Sequence, residues 1–209
     1  MKITIFALFA VFAVCCASRA DHDALKKDLK EFQILIPKAS MALIIAKHLI
    51  FDSEFRKAKD FIGTPESNAL GLNIMKSHPF REAVQDLRSK DIDAPTIINI
   101  FARLLKFPLY PEEFTDEIMI QPRSFNSFID DVIYALPKNE FSKLMKHKVK
   151  TSPVFRKFYL TSISPEFNKR IEAILNYPLL RPTFVTFKSK GIDFRHIYSA
   201  VKTILSWGK

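Results

Sequence analysis

Apolar residues recur along most of the chain at spacings of three and four, which is the period of an amphipathic α-helix. No stretch alternates apolar and polar residues strictly enough to predict a strand, and only four glycines are present for hairpin turns. The pattern therefore predicts an all-α protein. The first apolar face lies before Pro37, in a helix that begins near Asp21 or Asp23, and consists of Leu25, Leu29, Phe32 and Ile36.

Capping residues and prolines mark where these helices begin and end. Asp52 or Ser53 can cap a helix that stops at Gly63, which suits a left-handed helix end. Thr64-Pro65-Glu66 then supplies an N-cap, a proline in the first turn and an acid near the helix N-terminus. Similar signals continue to residue 105, and together they predict about six short helices in this part of the chain.

The same pattern occurs a second time, one hundred positions later. Pro37-Lys38 returns as Pro137-Lys138, and three further blocks follow in the same order, which indicates an internal duplication. Pro182 would interrupt the helix opened by Pro178, so we expect a kink or a delayed start there. Each copy is too small to form a core alone, so we expect both in one globular unit. The predicted boundaries are 21–110 for the first repeat, 111–123 for a linker and 124–209 for the second repeat.

The N-terminal twenty residues have the pattern of a secretory signal. Lys2 precedes an apolar run of about a dozen residues, and Ala17 or Ala20 offers a small residue for cleavage. A membrane anchor is the alternative, although the run is shorter than the roughly 20 residues a membrane span needs. Both cysteines, Cys15 and Cys16, lie in this segment. We therefore expect a secreted chain without disulfides.

The charge of the chain favours anionic partners. The net charge of +10 becomes +8 without residues 1–20, because that segment contains two basic residues and no acid. Export makes a membrane surface a better partner than nucleic acid. The densest basic segment is either a solvated helix face or a dock for anionic headgroups, and as a dock it predicts contacts from Lys143, Lys146, Lys148 and Lys150.

Residue patterns that would predict catalysis are lacking in the sequence. The five histidines have no metal-ligand spacing, no nucleophile elbow is present, and both cysteines lie in the predicted signal. His48 and Asp52, four residues apart on one helix, are interpreted as a surface pair. We expect no enzyme activity, no cofactor and no metal.

Several motifs carry a resemblance to a known family. Phe32-x-x-Leu35-Ile36-Pro37, Asp52-x-x-Phe55, Thr64-Pro65-Glu66 and the stretches 87–93 and 97–105 are similar to the insect allergen repeat family. That family includes cockroach group 1 allergens, mosquito midgut microvillar proteins and nitrile-specifier proteins of butterfly larvae. The resemblance covers nearly the whole chain after the signal.

The resemblance implies that two repeats form one shell around a large apolar cavity, which holds fatty acids or phospholipids. A packed core of the twenty phenylalanines is the alternative. Such a cavity would be costly when empty, so bound lipid would be part of the folded state. Helical faces and repeat equivalence predict its lining: Phe55, Phe61, Ile74, Leu87, Ile97, Phe101 and Leu104 in the first repeat, and Phe155, Phe158, Ile174, Phe187, Ile197, Val201 and Ile204 in the second.

These expectations favour a secreted lipid carrier of the gut lumen or the microvillar surface, with lipid as cargo. Two alternatives belong to other classes. A basic carrier can exchange lipid with a bilayer and lyse it, and the nitrile-specifier relatives imply a factor that redirects glucosinolate breakdown.

Overall fold

The computed structural model describes residues 19–90 and 126–209, and every regular element in these ranges is helical. The signal segment up to residue 18, the predicted linker and the sixth helix of the first repeat, with Ile97, Phe101 and Leu104, lie outside the described residues. The first range contains α1 (Arg19–Leu35), α2 (Lys38–Phe51), α3 (Ser53–Phe61), α4 (Pro65–Lys76) and α5 (His78–Arg88). The second contains α6 (Asn126–Ala135), α7 (Lys138–Thr151), α8 (Pro153–Ser162), α9 (Pro165–Leu175), a 3₁₀ turn (Pro178–Leu180), α10 (Arg181–Ser189) and α11 (Phe194–Ser206).

Capping side chains begin the helices where the sequence predicts. Asp52 Oδ1 accepts the backbone N–H groups of Glu54 and Phe55, both at 2.9 Å. Thr64 Oγ1 accepts the N–H of Ser67 at 3.1 Å. Gly63 has a φ of 87°, a conformation that costs glycine little. These contacts confirm the predicted boundary between α3 and α4.

The delayed helix start at Pro182 is also confirmed. The 3₁₀ turn covers Pro178–Leu180, and α10 begins only at Arg181, so that Pro182 lies in its first turn. A proline is tolerated there because the first N–H groups of a helix have no intrahelical acceptor. The corresponding α5 of the first repeat is one continuous helix from His78 to Arg88. The two repeats therefore differ most at this point of the described chain.

Elsewhere the repeats match residue by residue. Helices α2 and α7 begin and end exactly one hundred residues apart, and α4 and α9 begin one hundred residues apart. The C-terminal ends of α2 and α7 are held in the same way. Arg56 donates to the carbonyls of Leu49 and Ile50 at 3.0 and 2.9 Å, and Arg156 donates to the equivalent carbonyls, those of Val149 and Lys150, at 2.6 and 2.9 Å.

Each repeat packs its helices against the other repeat. Helix α1 contacts α7 and α8, and the equivalent helix α6 contacts α2. Likewise α5 contacts α9, and α10 contacts α4. Because every one of these contacts crosses from one repeat to the other, neither repeat buries its apolar faces alone. The described residues therefore form one unit, as the size of each copy predicts.

A buried polar cluster holds the crossing of α2 and α6. His48 is 4% exposed, and its Nδ1 and Nε2 lie 2.9 and 3.0 Å from carboxylate oxygens of Asp52 and Asp131. Lys47 Nζ donates to Asp131 at 2.8 Å, and Ser127 Oγ donates to Asp52 at 3.1 Å. The interpretation of His48 and Asp52 as a surface pair is wrong, because α6 from the other repeat covers the ring.

The equivalent cluster lies where α1 crosses α7. Lys148 occupies the position of His48, and its Nζ donates to Asp28 at 2.7 Å and to Glu31 at 2.6 Å. Glu31 is the counterpart of Asp131, so the same polar contact is made twice. Burial alone would lower the pKa of Lys148, but the hydrogen bonds that its ammonium donates to Asp28 and Glu31 outweigh burial and raise the pKa above its usual value.

Aromatic rings fill the core beneath these crossings. Phe32 of α1 stacks on Phe155 of α8 with ring centroids 5.4 Å apart. Phe55 of α3, the counterpart of Phe155, contacts Phe128 of α6 at 4.6 Å. Both pairs belong to one apolar cluster that extends through both repeats.

No single helix in the described ranges is both long enough and apolar enough to cross a membrane. Helices α1 and α2 meet the test only together, as a pair with a bend of 73° between residues 24–35 and 38–51.

The Lys148 cluster predicts a large stability effect. Lys148→Met should lower the free energy of unfolding by about 3 kcal/mol, because Asp28 loses its partner while it stays buried. Lys146→Met, on the exposed side of the same helix, should change it by less than about 0.5 kcal/mol. Denaturant unfolding at neutral pH measures both. Equal values for the two variants would show that the cluster contributes nothing specific.

Acid should weaken the other crossing. Lys47 and His48 lower the pKa of Asp131 below its usual 3.8, so Asp131 stabilises the fold above that pH and less as the pH falls through the folded pKa. For Asp52, burial opposes the shift, but hydrogen bonds from Phe55 N–H, His48 and Ser127 lower its pKa as well.

The stability lost in Asp131→Asn should therefore be largest near neutral pH and should shrink as the pH falls below about 3.8. Denaturant unfolding across this pH range measures the effect, with Asp60→Asn as the control because Asp60 is an exposed acid of α3 outside the cluster. A loss that does not depend on pH would contradict the assignment.

Candidate functional site

The predicted lining residues that the structure describes lie mainly in the packed core. Ile74 and Ile197 are partly buried at the edge of that core. Ile174 belongs to a smaller cluster with Ala83 and Leu180, between α5, α9 and the 3₁₀ turn. Buried within the core cluster itself are Phe55, Phe61, Leu87, Phe155, Phe158, Phe187, Val201 and Ile204.

Space inside this part of the core is small. A pocket among α1, α7 and α8 has a volume of about 10 Å³. That is room for about one water molecule, so an acyl chain does not fit in it. The large internal cavity therefore stays a prediction, since part of its expected lining lies outside the described residues. The pocket is lined by Leu29, Phe32, Met145, Phe155, Phe158, Tyr159 and Leu205.

A larger cleft of about 400 Å³ opens in the second repeat. It lies between the end of α9, the 3₁₀ turn, α10 and the start of α11. Its volume is within the range of about 300–1,000 Å³ that is usual for small-molecule sites. The lining consists of Leu175, Asn176, Tyr177, Pro178, Arg181, Phe184, Val185, Lys188, Asp193, Phe194 and Arg195.

The aromatic wall of the cleft is continuous with the core. Phe184 and Phe194 meet at a centroid distance of 5.5 Å, and Phe194 meets the fully buried Phe187 at 5.0 Å. Edge-to-face contacts of this kind hold aromatic rings in place. The cleft therefore presents a firm apolar surface to a ligand.

Three basic side chains line the same cleft. Lys188 Nζ bonds to Asp193 Oδ2 at 2.7 Å, and Arg195 Nη2 donates to Asn176 Oδ1 at 2.6 Å. Arg181 is exposed and forms no ion pair with the described residues. Arg181 is thus the cation of this cleft that is available to an anionic group.

The acid in the cleft has a structural role. Asp193 caps α11 by accepting the N–H groups of Arg195 and His196 at 2.9 and 3.4 Å. Burial would raise the pKa of Asp193, but the hydrogen bonds from Lys188 and the Arg195 N–H outweigh it and lower the pKa. At neutral pH Asp193 is therefore an ionised cap that is already paired. The cleft keeps a net positive lining.

Sequence reasoning did not select Arg181, Phe184 or Phe194 as site residues. A usable signal was present, because Pro182 predicts that α10 starts late. The cleft lies at this displaced helix start, with Tyr177 and Pro178 in its wall. The displaced helix start therefore marks the position of this cleft in the second repeat.

The predicted headgroup contacts divide into two groups. Lys143, Lys146 and Lys150 are exposed on the outer side of α7. Lys148 is only 8% exposed and paired with two acids. Its assignment as a headgroup contact is corrected, because the residue points towards α1 and not towards solvent.

Comparison with known proteins identifies a family. The family model described as insect allergen related repeat, nitrile-specifier detoxification matches residues 24–198. This match covers both repeats and the cleft. No curated protein and no solved structure matches the chain.

Proposed function

The chain belongs to the insect allergen related repeat family, and on that premise we propose that it is a secreted, gut-associated carrier of fatty acids or phospholipids. We propose further that it acts by binding and not by catalysis, and that it needs no cofactor. The N-terminal signal pattern supports export. The observation that carries the proposal is the cleft with an aromatic wall and with Arg181, which forms no ion pair with the described residues.

This cleft suits an amphipathic anion. The carboxylate or phosphate of a lipid pairs with Arg181 at the mouth, and its acyl chain lies against Phe184 and Phe194. Burial of each methylene contributes about 0.8 kcal/mol. An internal cavity of the kind that the family resemblance implies would accommodate the rest of the acyl chain.

Native mass spectrometry followed by organic extraction tests the proposal directly. We expect acyl lipid bound at a defined stoichiometry. A protein that is stable and free of lipid, and that takes up no added fatty acid, would exclude the carrier function.

Variants then test the cleft. Arg181→Gln should weaken binding of a fatty acid about threefold to fivefold, as expected for an exposed ion pair, but should not change binding of its uncharged methyl ester. Arg81→Gln removes the same charge from α5, outside the cleft, and should affect neither ligand. Displacement of a fluorescent fatty acid measures both.

Phe184→Ala should weaken both ligands about tenfold, because the apolar wall contacts the acyl chain in either case. Wild-type affinity in both the Arg181 and Phe184 variants would show that the lipid binds outside the cleft. The proposed carrier function would still stand. The two failures are therefore distinguishable.

The family description also names nitrile-specifier detoxification. As a second candidate, the chain would redirect glucosinolate breakdown without hydrolysing the substrate itself. Product analysis with added myrosinase tests this second candidate, and an unchanged ratio of nitrile to isothiocyanate would exclude it. The net charge of +10 keeps bilayer lysis as a third candidate. Dye release from anionic vesicles that falls with salt supports lysis, and no release at low salt counts against it.

A further inference from the structure

Helix α2 is apolar on its outer side as well as its inner side. Met41 and His48 face the interior, while Leu43 and Ile50 are 72% and 65% exposed. A helix that is apolar all round is ordinarily buried on all sides. Spacings of three and four residues make one continuous stripe of exposed side chains along α2: Ala39, Ala42, Leu43, Ala46 and Ile50.

The duplication supplies a direct comparison for this stripe. Helix α7 has the same length and register as α2, one hundred residues later. At the positions equivalent to the stripe it has polar or basic residues. The fold therefore does not require apolar side chains on this face, and those of α2 need another reason. The equivalent residues are Asn139, Ser142, Lys143, Lys146 and Lys150.

Charge distinguishes between the possible occupants of the face. Helix α2 contains no acidic residue, and its exposed charges are those of Lys38 and Lys47. A second copy of this chain would bring the same face and a net positive charge, +10 for the full chain and +8 without residues 1–20, so the two copies would repel each other. An anionic lipid surface complements both the apolarity and the charge of the face.

We propose that the outer face of α2 docks on an anionic lipid bilayer. Leu43 and Ile50 enter the boundary between headgroups and acyl chains, and Lys38 lies at the level of the headgroups, while Lys47 stays paired with Asp131. Phe51, 81% exposed at the end of the helix, is an aromatic residue of the kind found at that boundary. This docking surface is separate from the cleft and does not depend on the proposed cargo.

Co-sedimentation with phosphatidylcholine vesicles, with and without phosphatidylserine, tests the proposal. The variant Leu43→Gln/Ile50→Gln keeps the charge of the chain, and it should reduce partition onto anionic vesicles at least about tenfold. The matched control is Lys143→Gln/Lys150→Gln, at the equivalent positions of α7. It removes two charges but leaves the α2 stripe intact, so at salt concentrations that screen charge it should bind like the wild type.

A label gives a second measurement that does not depend on the stability of the double variants. With Cys15 and Cys16 replaced by serine, the rest of the chain has no cysteine. An environment-sensitive dye on Leu43→Cys should shift to the blue with anionic vesicles, and the same dye on Lys143→Cys should not.

Two results would overturn the proposal. One is that the α2 variant binds anionic vesicles no less than the wild type does, whether both bind or neither binds. The other is a wild-type dimer that becomes a monomer in the α2 variant while vesicle binding is unchanged, because a second copy would then cover the face.

Discussion

The first helix of each repeat packs on the second helix of the other, and a buried polar contact holds each crossing. At one crossing His48 lies between two carboxylates, and at the other Lys148 does. The chemistry differs but the geometry is the same: a cation or imidazole of one repeat faces an acid, Asp131 or Glu31, of the other. His48, Lys148 and Asp28 are buried in these contacts, and leaving such a group without its partner is costly, so the crossings specify how the two repeats fit together.

This exchange constrains the inner sides of the helices and leaves the outer sides free to differ. On the inner sides, the equivalent positions 55 and 155 are both phenylalanine, and each ring contacts a phenylalanine of the opposite repeat. On the outer sides, α2 is apolar where α7 is basic. A duplicated chain can therefore keep one architecture while each copy acquires a surface of its own.

The differences between the copies coincide with the places where lipid chemistry fits. The cleft lies where the 3₁₀ turn delays α10, and the exposed apolar stripe lies on the helix whose counterpart carries lysines. The proposed carrier function needs a surface that holds a lipid and a surface that approaches a membrane, and we propose the cleft for the first and the stripe on α2 for the second. The small pocket of about 10 Å³ among α1, α7 and α8 shows that aromatic rings fill this part of the described core by contacting one another.

The sequence by itself determined the helices, their caps, the duplication and the late helix start at Pro182, because each depends on neighbours a few residues apart. Gly63 and Thr64 show this, since capping and left-handed turns are local. Only the tertiary structure decided that His48 is buried and that Lys148 is not a surface charge. The acids that contact them from the other repeat are more than eighty residues away in the chain. Spacing along one helix tells which residues share a face. The helix that covers this face comes from a distant part of the sequence, and only the tertiary packing decides which helix that is.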